Sequence, residues 1–180
     1  MSSILSKTDK KLAGFCGLFL IYGGHNMYNL NWNKETLNKQ KLGRFGEYYA
    51  KMALASYGMS IFTSEVDDHG IDFVAESKKG FLKFQVKTIR DNTSYVFMKK
   101  KYFNIFDDFL FLLLIILKDG EHPMLFAIPA TAWQSTDKNA FVFHPYDNKK
   151  SEPEYGINIS KKNLPQIEEY CLEKMIARML

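Results

Sequence analysis

Gly70-Ile71-Asp72-Phe73-Val74 and, after the turn Lys78-Lys79-Gly80, Phe81-Leu82-Lys83-Phe84-Gln85-Val86-Lys87-Thr88-Ile89 decide how this chain is read. Two strands are expected, Ile71 to Glu76 and Phe81 to Ile89. In the second, Leu82, Phe84, Val86 and Thr88 alternate with Lys83, Gln85 and Lys87, so Gln85 and Lys87 point the same way. A hairpin brings Asp72 on the neighbouring strand within metal-bridging reach of them. The Asp72 carboxylate, the Gln85 side-chain oxygen and the Val86 carbonyl are hard donors that suit Mg²⁺ or Mn²⁺, ions that keep some of their waters. Lys87 would orient one such water and balance charge on a phosphate. The roles together read as phosphodiester hydrolysis.

Upstream, Lys34 to Tyr57 is expected to be an amphipathic helix stopped by Gly58. Leu42, Phe45, Tyr49, Met52 and Ala53 form its apolar stripe, continued by Ser56. Gly43, Glu47, Ala50 and Leu54 form a neighbouring stripe, so Glu47 lies beside the apolar face rather than opposite it. It is positioned to ligate the metal, directly or through a water, or to accept a proton from the attacking water. Between helix and hairpin come a short strand, Met59 to Ser64, and a turn-rich link holding Asp67, Asp68 and His69, read as loop residues, as is Glu65.

Downstream, strands are expected at Ser94 to Met98, Phe109 to Leu117 and Met124 to Ile128, the last two joined as a hairpin through Lys118-Asp119-Gly120. A helical turn around Tyr102 to Phe106, a short helix at Pro129 to Gln134, a small strand at Phe141 to His144 and a polar loop from Tyr146 to Glu154 follow. The chain closes with a helix capped by Asn163, carrying Pro165 in its first turn and an apolar pattern from Ile167 to Leu180. The order predicts an α/β (α+β) fold, an N-terminal helix and then a mixed central sheet of about four to six strands flanked by helices. Residues 33–180 read as a single domain, preceded by an extension, 1–32, of unassigned role.

Composition bounds the reading from outside. Apolar residues make up 46% and charged residues 24%, a globular rather than disordered balance. A net charge of +4 and a pI near 8.9 permit a polyanionic partner without requiring one. The two cysteines, Cys16 and Cys171, lack metal-ligand spacing and form no disulfide framework, which fits a reducing cytoplasm. The apolar run Phe109 to Leu117 is about half the roughly 20 residues that span a bilayer as a helix, so no membrane association is expected. Lys7, Lys10 and Lys11 before Leu12 to Ile21 superficially resemble a signal peptide, but no small-x-small cleavage site closes the run. A translation start at Met27 is the other reading of that region.

Each candidate also has an ordinary structural explanation. Asp72 after Gly70 can cap a turn, Gln85 and Lys87 can be the solvated face of a strand, and Glu47 can be a helix-surface carboxylate. Their occurrence together, in this order on helix, strand and strand, favours the functional reading. Arg44, Lys83, Arg90, Lys99, Lys100 and Lys101 flank the site in sequence and form a candidate phosphate track. The lysine triplet serves equally well as a charged edge that discourages strand pairing. Tyr95, Phe97, Tyr102 and Phe103 are either core aromatics or platforms for bases.

Gly43-x-x-Gly46-Glu47 on a helix, Gly70-Ile71-Asp72 on a strand and Gln85-Val86-Lys87 on the next resemble the PD-(D/E)xK nuclease superfamily, the restriction-endonuclease-like fold, over Leu37 to Arg90. The spacing is also similar to Holliday-junction resolvase-like members and to small uncharacterised bacterial endonuclease-like families, as is Pro129-Ala130-x-Ala132-Trp133. The resemblance implies a Mg²⁺- or Mn²⁺-dependent endonuclease acting on DNA, with Glu47, Asp72, Gln85 and Lys87 catalytic and Glu47, Asp72, Gln85 and Val86 around the metal. Gln85 departs from the usual acidic residue, leaving the site one negative charge short. Two alternatives stay open: a non-cleaving nucleic-acid-binding domain of the same fold, and a small α/β protein-interaction module. Cutting both strands of a duplex suits a homodimer, for which the apolar C-terminal helix offers a surface.

Overall fold

The computed structural model describes residues 32, 35–63, 70–135, 139–146 and 151–180. Nearly all of the N-terminal extension, with its Lys-rich apolar stretch, and the link carrying Glu65, Asp67, Asp68 and His69 lie outside these residues. The described part is α+β, a mixed sheet with helices packed on it and a smaller antiparallel sheet beside it.

The first helix, α1, runs Lys39–Ser56. It starts later than Lys34 because Asn38 caps it, its side chain accepting a hydrogen bond from the Lys41 amide at 3.0 Å. It ends in a Schellman arrangement, with Gly58 at φ +86° and amides 58 and 59 donating to the Ala55 and Leu54 carbonyls. Leu42, Gly46, Ala50 and Leu54 are its buried line, and Met52, expected in the apolar stripe, is 59% exposed. The contact face is therefore rotated toward the small residues, because α1 lies close against a strand. Glu47 falls at the margin of that face.

The larger sheet has the order β1-β2-β3-β5-β6, with β1 Ser60–Phe62, β2 Phe73–Ser77, β3 Gly80–Arg90, β5 Leu110–Leu117 and β6 Met124–Pro129. β2 and β3 form the expected hairpin, with Phe73 opposite Phe84 and Ser77 opposite Gly80. Gly80 at φ +113° closes the turn where a side chain would be strained. β3 pairs in parallel with β5, Gln85 beside Leu112 and Lys87 beside Leu114. β5 is buried along its whole length, as a central strand covered on both faces must be. Phe84 stacks against Phe73 and tilts against Phe111, fixing these rings on one face.

The crossover from β3 to β5 departs from expectation. The strand at Tyr95–Lys99, β4, leaves the central sheet and pairs with β8, Glu154–Asn158, which pairs with β7, Phe141–His144. β8 begins at the last residue of the expected polar loop; its Glu-Tyr-Gly-Ile-Asn sequence has a glycine at the centre and polar ends, and the two flanking strands, rather than local propensity, make it a strand. A 3-10 turn, Lys100–Tyr102, follows β4, and another, Ala130–Gln134, follows β6.

The C-terminal helix is two helices, α2 Leu164–Glu168 and α3 Leu172–Met179. Between them the chain extends along β6: the Ala127 amide donates to the Tyr170 carbonyl at 2.8 Å and Cys171 bridges Phe126. That interruption covers a sheet edge that would otherwise present unpaired amides. Asn163 makes no side-chain cap and instead donates from Nδ2 to the Asn158 carbonyl. Leu172, Met175, Ile176 and Met179 are buried in the chain's own core, so the apolar face does not supply the dimer surface expected of it. Among the described residues no helix is long and apolar enough to cross a membrane.

Candidate metal centre at a strand split

The ladder between β2 and β3 opens at Asp72. The Asp72 amide still donates to the Phe84 carbonyl at 2.9 Å, but beyond it β3 loses its backbone partner on that side. The next inward amide of β3 is Val86, and the Asp72 carboxylate replaces the missing carbonyl, its Oδ2 accepting from the Val86 amide at 2.5 Å. A residue's N–H and C=O point to the same edge of a strand, so the Val86 carbonyl faces this same opening. Asp72 and the Val86 backbone are thus joined at the mouth of a split in the sheet.

Gln85, the residue of β3 between Phe84 and Val86, whose backbone groups both bond Asp72, is only 7% exposed. Its Oε1 is buried and has no hydrogen-bond partner among the described residues. An orphaned buried amide oxygen is costly, on the order of 1–3 kcal/mol, unless something occupies the space before it. Gly70 walls this pocket: a Cβ there would stand 3.3 Å from Gln85 Nε2 and 2.8 Å from Tyr102 Cβ, at a φ of +69° that already disfavours a side chain. Glycine is what lets Tyr102 and the Gln85 amide both approach the backbone here.

Lys87 lies on the Gln85 side of β3 by strand alternation, half-buried, and has no ion-pair partner among the described residues. Glu47 is placed differently. A Cβ on Gly46 would run into Thr88 Oγ1, so α1 presses on the face of β3 that carries Thr88, opposite the face of Gln85 and Lys87. Glu47 is the next residue along, half-buried, with Arg44 at 3.6 Å. The described contacts bring Asp72, Gln85 and Val86 together and leave Glu47 at the other side of the split. Thr88 Oγ1, tight against Gly46, is also buried without a partner.

Among the described residues no three of His, Cys, Asp and Glu cluster as a metal site. An ion at the split would rest on one carboxylate and the neutral oxygens of Gln85 and Val86, with Glu47 reached from the α1 side. The donor chemistry fits a hard dication: every candidate ligand is an oxygen, and one of them is buried with nothing to bind.

The six basic candidates are dispersed. Lys83 pairs with Asp107 on the Gln85 face of β3, whereas Arg90, on the Thr88 face, donates to the carbonyls of Trp32 and Leu37 at 3.1 and 2.8 Å and anchors the segment leading into α1. Lys99 and Lys101 share Glu152, each at 2.6 Å, and these two ammonium groups, Lys101 foremost, hold the Glu152 carboxyl down to about 2. Lys100 lies over the Phe143 ring.

One polar cluster escapes a sequence reading. Glu154, 8% exposed, accepts from the Tyr95 hydroxyl at 2.8 Å and the Tyr146 hydroxyl at 3.0 Å. Burial, then the Glu154 carboxylate, pushes the Tyr95 hydroxyl far above its usual range. These residues lie in three separate sequence segments, and only the pairing of β4 with β8 makes them neighbours.

No protein-family model and no curated protein matches the sequence. Among solved structures, the chain is similar to a bacterial homing endonuclease, I-Ssp6803I, at 15% identity and a TM-score of 0.48, over 79% of this chain and 94% of that one. It is also similar to Hjc, a Holliday junction resolvase of the archaeal hyperthermophile Archaeoglobus fulgidus, at 11% identity and a TM-score of 0.45, over 69% of this chain and 88% of that one.

Proposed function

We propose that this chain is a metal-dependent endonuclease that hydrolyses phosphodiester bonds in DNA at the split between β2 and β3. The observation that carries the reading is the buried, unpartnered Gln85 Oε1 beside a carboxylate that is already held in place by the Val86 amide. Asp72, Gln85 and the Val86 carbonyl would hold Mg²⁺ or Mn²⁺, with Glu47 completing the set from the α1 side. When bound, the ion acidifies a water and neutralises phosphate oxygens.

The residues of the chain account for the rest. The Val86 amide fixes the orientation of the Asp72 carboxylate before substrate arrives, which removes a reorganisation cost from the reaction. Lys87 orients the attacking water and offsets the negative charge that builds on phosphorus. The water oxygen bonds to phosphorus as the bridging P–O bond breaks, Glu47 accepts the water's proton, and the leaving oxygen departs with the bonding pair and takes a proton from solvent. Gln85 supplies one charge fewer than a carboxylate would, so binding of the ion is expected to be weaker and more dependent on its concentration.

Incubating the protein with supercoiled, linear, branched and single-stranded DNA, in Mg²⁺, Mn²⁺ or chelator, tests this. Cutting that requires the metal and disappears in both Asp72→Ala and Lys87→Ala supports the proposal. Salt-sensitive binding without cutting, unchanged in Asp72→Ala, replaces it with a binding domain; absence of both activities replaces it with an interaction module.

A further inference from the structure

We propose that the outer face of the small sheet β4-β8-β7 is a stacking platform for unpaired DNA bases, separate from the strand split. Alternation along β4 buries Val96 and Met98 and turns Tyr95, Phe97 and Lys99 outward. Tyr95 and Phe97 present near-parallel rings on that face, 19° apart with centroids at 6.4 Å. The Tyr95 ring lies over Gly156 of β8, where any Cβ would collide with it. Its hydroxyl donates to the buried Glu154, which anchors the ring there. His144 and Tyr146 add a second near-parallel pair, 29° apart at 5.7 Å, and His144 meets the edge of Tyr95.

Phe97 is 47% exposed beside this anchored tyrosine, a large apolar ring left open to solvent. Charge argues for the occupant. Lys99, on the same face as Phe97, and Lys101 stand at the end of β4 beside these rings, and among the described residues the two share one exposed carboxylate, Glu152. Glu154 is buried beneath two hydroxyl donors. Aromatic rings that accept bases, next to ammonium groups that accept phosphates, fit a single strand of nucleic acid bound without regard to sequence.

The test is fluorescence anisotropy of a labelled oligothymidylate, and of an abasic deoxyribose-phosphate strand of equal length, on the full chain in chelator. Wild type should prefer the strand with bases. Phe97→Ala should lose on the order of tenfold in affinity for it and bind the abasic strand unchanged, whereas Phe97→Trp should keep the preference. Equal binding of the two strands by wild type, or a Phe97→Ala protein that still prefers bases, would overturn the proposal. Thermal unfolding of both variants checks that this exposed position leaves the fold intact. Because the readout is binding without metal, its failure leaves the cleavage reading standing, and a failure to cleave leaves this one standing.

Discussion

Asp72 carries two demands at once: it fills the place of a missing backbone acceptor for Val86, and it offers a carboxylate at the proposed metal position. Asp72→Ala should therefore cost stability as well as cleavage, about 1–3 kcal/mol in urea denaturation, because the Val86 amide loses its acceptor. Gln85→Glu restores the missing charge; calorimetry should show tighter Mg²⁺ binding than wild type, and an unchanged affinity would mean that residue 85 is not a ligand. At this scale the sequence was most legible. Alternation alone put Gln85 and Lys87 on one side of β3, and the hairpin brings Asp72 to the backbone of Phe84 and Val86 on either side of Gln85. The pairing of Asp72 with the Val86 amide was not legible, because it depends on where the ladder stops. The same alternation puts Lys83 and Arg90 on opposite faces of one strand, but it could not show that Lys83 pairs with Asp107 and Arg90 anchors the segment before α1.

Among the elements, α1 is positioned by a contact with no spare room. Gly46 lets the helix meet Thr88, so Gly46→Ala should push α1 off β3 and lower stability by about 1–3 kcal/mol. Thr88→Ala in that background should recover part of the loss, measurable as a coupling in a double-mutant cycle. If the helix carries Glu47 to the split, Gly46→Ala should also reduce cleavage more than its loss of stability explains. Long periodic elements, α1 and β3 above all, were readable because burial enforces their periods. The failures occur where tertiary pairing overrides local preference. β8 is a strand because β4 and β7 flank it, and the C-terminal helix breaks because residues 170 and 171 cover the edge of β6.

Across the whole molecule, the small sheet is the part least visible in advance, since its strands come from well-separated segments. It also gives the protein an alkaline signature. The hydroxyls of Tyr95, Tyr146 and Tyr155 are all raised above the usual value, Tyr95 and Tyr155 chiefly by burial and Tyr146 chiefly by its hydrogen bond to Glu154. A raised folded-state pKa favours the neutral phenol in the fold, so this stability is fully present below about pH 10 and is lost as pH rises through the folded-state values. The urea midpoint should fall above pH 10, and Tyr95→Phe should flatten that fall. The mixed sheet behind an N-terminal helix was expected; the diversion of β4 into a second sheet with β8 and β7 was not.

The central claim is that a divalent cation sits at the split between β2 and β3. The most direct test is an anomalous difference map from crystals soaked in Mn²⁺. The account predicts one strong peak in coordinating contact with the Asp72 carboxylate, Gln85 Oε1 and the Val86 carbonyl, absent from Asp72→Ala crystals. A map with no peak there, or with its strong peak bound by other residues, would contradict it.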